Sequence, residues 1–231
     1  MTTAPVPIAV FDLDGTLADT APDLIGTLNI ILAREGLPAL PLAQARDLIG
    51  AGARALIERG LAVNGRTIAP DHLDALYADF LAIYADRIAE ETRLFPGVTA
   101  ALARLTAAGW QLAVCTNKVA SHSVQLLAAL GIADRFAAIC GRDSFPYCKP
   151  DPRHLTATIA QAGGDPARAV MIGDSRTDID TARAAGIPVI AVPFGYTDTA
   201  VTALGPDRVI EHFDELWEAA SALLPAATPL A

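Results

Sequence analysis

The sequence predicts an α/β protein: a parallel sheet with helices on both faces and an all-helical insert after the first strand. Three observations carry this: short β-branched apolar runs that recur along the chain, helical periodicity between them, and one crossover too long for a single helix. The runs are residues 8–11, 112–115, 136–140, 170–172 and 189–192. Each is strand-length and nearly continuously apolar, as strands covered on both faces should be.

Helical stretches alternate with these runs over residues 98–108, 121–130 and 152–162, the last two stopped by Gly131 and Gly163. A strand–helix–strand unit needs about 30 residues, yet Thr116 lies 102 positions beyond Asp14. The insert in that gap reads as helices throughout. Leu24, Ile25, Leu28, Ile31 and Leu32 form one stripe, and Leu73, Leu76, Tyr77, Phe80, Leu81, Tyr84 and Ile88 form another. The chain therefore divides into a core of residues 1–17 and 94–231 and a helical domain of residues 18–93. Gly15, Asp19, Pro22 and Phe95-Pro96-Gly97 stand at the seams as hinge material. The Ala- and Pro-rich segment after Leu224 reads as frayed.

Composition narrows the function classes. With 52% hydrophobic and 19% charged residues among 231, the chain is a poor candidate for disorder. A formal charge of −9 offers no general attraction to nucleic acid or anionic lipid, so any anionic ligand needs a local site. Cys115, Cys140 and Cys148 are odd in number and lack CxxC spacing, which suits neither a disulfide framework nor a zinc site. Met1 to Val10 carries no basic region and runs straight into Asp12 and Asp14, unlike a signal peptide. No stretch reaches the roughly 18 uncharged apolar residues of a membrane span. A cytoplasmic protein without nucleic-acid or membrane partners is expected, with monomer and homodimer both open.

The chemistry gathers at strand ends. Residues i and i+2 of a strand point the same way, so Asp12 and Asp14 converge past the carboxyl end of the first strand, the edge where open α/β sheets bind ligands. Alone, the pair also reads as a turn and helix cap. Gly173-Asp174-Ser175, with Asp178 four residues after Asp174, follows another apolar run, and Asp174 alone would suit an N-cap for a helix starting near Thr177. If those strands are neighbours, four carboxylates bring a formal −4 to one edge, and a hard cation, by default Mg²⁺, is the economical counter-ion. Thr116-Asn117-Lys118 and Lys149-Pro150 supply a hydroxyl, backbone groups and compact cations. Lys118 alone reads as a solvated surface lysine. However, Lys118 and Lys149 are the only lysines in the chain, and both lie in loops where an anion would have to be neutralised.

These residues resemble the four motifs of the haloacid dehalogenase superfamily of phosphotransferases, in order: Asp12-x-Asp14-Gly15-Thr16, Thr116, Lys149-Pro150, and Gly173-Asp174-Ser175-x-x-Asp178. The resemblance implies a Rossmann-like core with a mobile cap inserted between the first and second motifs. Within the superfamily the chain is most similar to phosphoglycolate phosphatases, on Asp12 to Leu24, Ile49 to Leu56, Thr116-Asn117-Lys118 and Pro193-Phe194-Gly195-Tyr196. Sugar-phosphate phosphatases, pyrophosphatases and phosphomutases share several of these features. A non-catalytic phospho-receiver also gathers acids, Thr and Lys at a sheet edge, but in a domain of about half this size with no such insert.

The implied roles are specific. Asp12 is the nucleophile and forms an aspartyl-phosphate. Asp14 is the acid and then the base, kept protonated by neighbouring anionic charge. Mg²⁺ is held by Asp12, the Asp14 backbone carbonyl and Asp174, with Asp178 behind them. Thr116 and Lys149 orient and neutralise the phosphoryl group of a small phosphate ester. Asn117 and Lys118 join the substrate site, and Gly50, Gly52 and Arg54 bind a carboxylate from the cap. Tyr147-Cys148 departs from the polar residues expected before Lys149.

Overall fold

The computed structural model describes residues 6–224, so the expectations for the first five residues and for the tail after Leu224 lie outside the described residues. In chain order the elements begin with β1 (Ile8–Phe11), β2 (Ala18–Asp19), α1 (Ala21–Arg34), α2 (Leu42–Ala45), α3 (Ala53–Val63), α4 (Pro70–Asp86) and β3 (Arg93–Leu94). They continue with α5 (Val98–Ala107), β4 (Gln111–Cys115), α6 (Ala120–Ala129), β5 (Ala138–Cys140), α7 (Pro152–Gln161), β6 (Ala169–Gly173) and α8 (Arg176–Ala184). The last three are β7 (Val189–Ala191), β8 (Arg208–Val209) and α9 (Leu216–Leu223).

Six strands form one sheet in the order β5-β4-β1-β6-β7-β8, and every neighbouring pair is parallel. The chain builds outward from β1 in one direction and then in the other, so β1 marks the reversal of strand order where doubly wound sheets bind ligands. Alternate residues of each strand explain the apolar runs. Ala9, Phe11, Leu112, Val114, Val170 and Ile172 pack on one face, while Ile8, Val10, Ala113, Cys115, Ala169 and Met171 pack on the other.

The insert departs from its expected form in one respect: it is not helical throughout. β2 and β3 pair antiparallel where the chain leaves and re-enters the core. Asp23, in the first turn of α1, fixes this seam. Its fully buried carboxylate accepts hydrogen bonds from the Glu91 and Thr92 amides and the Thr92 hydroxyl. Helices α1, α3 and α4 pack on one another, and their stripes bury Leu24, Ile25, Leu28, Ile31, Leu32, Leu73, Leu76, Phe80 and Tyr84, with Tyr77 and Leu81 only half-buried. This apolar cluster runs without a break into that of one sheet face. β5 is shorter than the run at residues 136–140, and β8 is an edge strand of two residues, too short for a periodicity signal.

Candidate active site at the carboxyl edge of the sheet

Register places the acidic residues together. Phe11 stands level with Val114 and Ile172, so Asp12 is carried just beyond the sheet beside the ends of β4 and β6, and its amide donates to the Ile172 carbonyl at 2.9 Å. The chain then turns sharply, with the Leu17 and Ala18 amides both donating to the Leu13 carbonyl. Gly15 sits at φ +83°, and a Cβ there would lie 2.4 Å from Asp174 Oδ2. Only glycine lets the turn close so tightly on that carboxylate.

Asp174 is held on both oxygens, Oδ1 by the Thr16 hydroxyl at 2.8 Å and Oδ2 by the Tyr196 amide at 2.6 Å. Asp178 has a different task. Its Oδ2 accepts from the Asp174 and Ser175 amides and the Ser175 hydroxyl, forming a capping box for α8. Its Oδ1 receives the Lys149 ammonium at 2.6 Å. The N-cap is therefore Ser175, one residue past the expected Asp174, which leaves the Asp174 side chain for the site. Lys149, almost wholly buried, also lies 2.9 Å from Asp12 Oδ1. Burial, reinforced by Asp178 and Asp14 and opposed by Lys149, pushes the Asp12 carboxyl up to about 6. Burial, then Asp178 and Asp12, raise Asp174 well above the usual carboxylate range.

Lys118 is no surface lysine. Although burial opposes its charge, Asp14 and then Tyr84 hold its ammonium above the ordinary lysine value. It lies 2.9 and 3.2 Å from the two Asp14 oxygens and 4.4 Å above the Tyr84 ring of α4. Lys118 is thus a direct counter-charge to Asp14. Thr116 is buried beside it, its Oγ1 accepting from the Lys118 amide, and the Asn117 side-chain amide donates to the Lys149 carbonyl. The Asn117 Oδ1 atom is buried and has no hydrogen-bond donor.

One cavity opens over these groups. It is lined by Asp12, Asp14, Thr116, Asn117 and Lys118 from the core and by Gly50, Gly52, Phe80 and Tyr84 from the insert. Arg54, expected to bind a carboxylate from this side, is not among its lining residues, and its guanidinium pairs with Asp74 of α4. A cation does reach the cavity, but from the core, as Arg142 in the loop after β5. A lone arginine in an irregular loop carries no spacing signal; only its place after an apolar strand hints at the site edge. The three cysteines are free, and burial first of all raises the Cys115 thiol to about 12, consistent with a packing role.

Asp12, Asp174 and Asp178 offer oxygens within 4.8 Å of one another, all buried. Since Asp178 is already saturated by its cap and by Lys149, the donors left for a cation are Asp12 and Asp174. Four carboxylates here face two ammonium groups, an excess of two negative charges that a divalent cation matches. Hard oxygen donors of this kind fit Mg²⁺.

A doubly wound sheet with this acidic edge and these lysines defines a hydrolase class, and the chain belongs to the haloacid dehalogenase-like hydrolase family, whose model matches residues 9–192. It is 53% identical to a phosphoglycolate phosphatase of Mesorhizobium japonicum over 96% of this chain and 98% of that protein. A phosphoglycolate phosphatase of Caulobacter vibrioides is 50% identical over 93% and 90% of the two chains. Among solved structures, a predicted phosphoglycolate phosphatase from Haemophilus somnus superposes with a TM-score of 0.86 at 29% identity, covering 94% of this chain and 98% of that one. CbbY from Rhodobacter sphaeroides, solved in complex with phosphate, superposes with a TM-score of 0.77 at 28% identity over 91% and 96%. Among the described residues, no helix is long and apolar enough to cross a membrane.

Proposed function

We propose that the protein hydrolyses 2-phosphoglycolate to glycolate and phosphate through an aspartyl-phosphate on Asp12, with Mg²⁺ as cofactor and residues 18–93 as a cap over the core. The observation that carries the chemistry is the meeting of four carboxylates and two lysines at one sheet edge beneath a cavity. The names of the relatives that match nearly the whole chain support the substrate.

In this reading Asp12 attacks, a role supported by a backbone fixed to the sheet and by Lys149 beside one carboxylate oxygen. Its oxygen bonds to phosphorus as the bond from phosphorus to the glycolate oxygen breaks. The departing alkoxide takes a proton from Asp14, which next removes a proton from the water that attacks the phosphorus of the aspartyl-phosphate, releasing phosphate and restoring Asp12. Lys118 pairs with Asp14, and an incoming phosphoryl oxygen would compete for its ammonium. Thr116 and the unpaired Asn117 carbonyl end border the path of the phosphoryl group. Asp12 and Asp174 side chains and the Asp14 backbone carbonyl would hold Mg²⁺, which supplies positive charge beside the phosphoryl oxygens.

Phosphate release from a panel of small phosphate esters with Mg²⁺ tests this reading. A kcat/KM for 2-phosphoglycolate above that for sugar phosphates and pyrophosphate is the expected result. Preference for a sugar phosphate would overturn the substrate, and an absence of phosphate release from every ester would overturn the chemistry.

A further inference from the structure

We propose that Arg142 is the specificity-determining residue of this site, the cation that recognises the carboxylate of the substrate from the core side; the inference rests on the phosphoglycolate reading and deepens it. Charge accounting in the cavity points there first. Lys118 is committed to Asp14, and Lys149, behind the cavity wall, is committed to Asp12 and Asp178. His122 lines the cavity too, but burial and then Lys118 hold its pKa below the ordinary histidine value. Arg54 is engaged by Asp74. Arg142 alone among the cavity-lining cations has a side chain with neither an ion pair nor a hydrogen bond to any described residue. A half-buried guanidinium with its fork open is matched by a planar carboxylate, which it can hold on two parallel N–H donors.

The root of the side chain is fixed, as recognition requires. The Arg142 amide donates to the Lys118 carbonyl at 3.0 Å, binding this loop to the one that carries Thr116 and Asn117. Asp143 accepts from the Ala120 amide at 2.8 Å on the other side of it. Gly141 makes the approach feasible, since a Cβ there would fall 2.3 Å from the Ala120 nitrogen. On the insert side the partner is Gly52, where a Cβ would lie 2.9 Å from Arg142 Nη1. The guanidinium therefore sits where the glycine turn of the insert meets the core loop. It is placed to meet the end of a substrate whose phosphoryl group lies on Asp12. Most of the remaining wall is apolar, with Leu24, Ile49, Leu56, Phe80 and Leu81, and offers nothing to a carboxylate.

A matched pair of esters tests the assignment: 2-phosphoglycolate and 2-hydroxyethyl phosphate, which has the same two-carbon skeleton with a hydroxymethyl group in place of the carboxylate. The readout is the ratio of their kcat/KM values. The wild-type enzyme should favour phosphoglycolate at least about a hundredfold, Arg142→Leu should cut that ratio at least about tenfold, and Arg142→Lys should retain part of it. Arg142→Gln, a polar replacement for a half-buried loop residue, supplies the same comparison should the leucine variant fold poorly. Inhibition by glycolate should weaken in step with the ratio. A ratio unchanged in both Arg142→Leu and Arg142→Gln overturns the proposal while the phosphoglycolate reading stands. So does a ratio that falls as far in Arg54→Ala. A wild-type enzyme with no preference between the two esters overturns the substrate reading, and this assignment with it, before any variant is made.

Discussion

Replacing Lys149 with methionine removes the one charge that touches both Asp12 and Asp178 while keeping most of the volume. The ammonium lies 2.6 Å from one carboxylate oxygen and 2.9 Å from the other, with 1% of its side chain exposed. Such contacts at the effective dielectric of a protein are each worth about 6 kcal/mol of Coulomb attraction, against several kcal/mol for burying the ammonium. Breaking a buried pair of this kind costs about 3–5 kcal/mol, because the acids remain with no counter-charge. For a chain of this size that amounts to roughly 6–20 °C in Tm. Differential scanning calorimetry of metal-free Lys149→Met should show that loss, and a smaller one in excess Mg²⁺, where a second cation faces the same acids. Turnover of 2-phosphoglycolate should fall by about two to three orders of magnitude, as when a preorganised charge is removed from a reacting oxyanion. A metal-free Tm within about 2 °C of wild type, or a kcat/KM within about threefold, would refute the view that Lys149 balances the acidic edge.

Asp12→Asn should abolish turnover with the fold intact; activity above about a thousandth of wild type, in a preparation free of other phosphatases, rules out the covalent route. The same variant reports on pH. With Asp12 raised to about 6 from 3.8, the folded metal-free protein binds more protons than the unfolded chain between those values, so its stability declines as pH rises through that window. Metal-free Asp12→Asn should therefore match wild type near pH 4 and exceed it by up to about 3 kcal/mol above pH 6 in urea titrations. Exhaustive chelation should stop turnover, Mg²⁺ should restore it and Ca²⁺ should inhibit, because a larger ion that accepts more ligands would engage the carboxylate Asp12 needs for attack; full activity after chelation contradicts the charge-balance argument. Arg54→Ala should leave the thermal midpoint nearly unchanged and the ester preference intact, as befits a solvent-facing pair with Asp74.

Much of this arrangement is legible in the sequence because it rests on local rules. Apolar runs mark the five longer strands, and acids two residues apart at the end of β1 already point the same way. Asp174 and Asp178 are less transparent, since an acid after a strand and an acid in a first helical turn are also what capping demands. In the structure Asp178 caps α8 and grips Lys149 with the same carboxylate. What the sequence hides is long-range. That Lys118 lies on Asp14 and Tyr84, or that Arg54 is claimed by Asp74, depends on where the insert rests against the core. The same holds for Arg142, whose neighbour Gly52 is 90 positions away and belongs to the opposite wall of the cavity.

The grip on Asp174 ties a candidate cation site to the closing of the fold. One carboxylate is closed upon by Gly15 and Thr16 from the beginning of the chain and by Gly195 and Tyr196 from near its end, and a Cβ at either glycine would strike its Oδ2. Thr16 and Asp174 are 158 positions apart, so the pair of Asp12 and Asp174 exists only once β1 and β6 have come together. An unfolded chain offers a divalent ion nothing comparable. Any affinity for a divalent ion here would be a property of tertiary closure, and by linkage such an ion would reinforce that closure, by about 2.7 kcal/mol at a hundred times its Kd. A divalent ion held there would thus act on the folding equilibrium as well as on the chemistry proposed above.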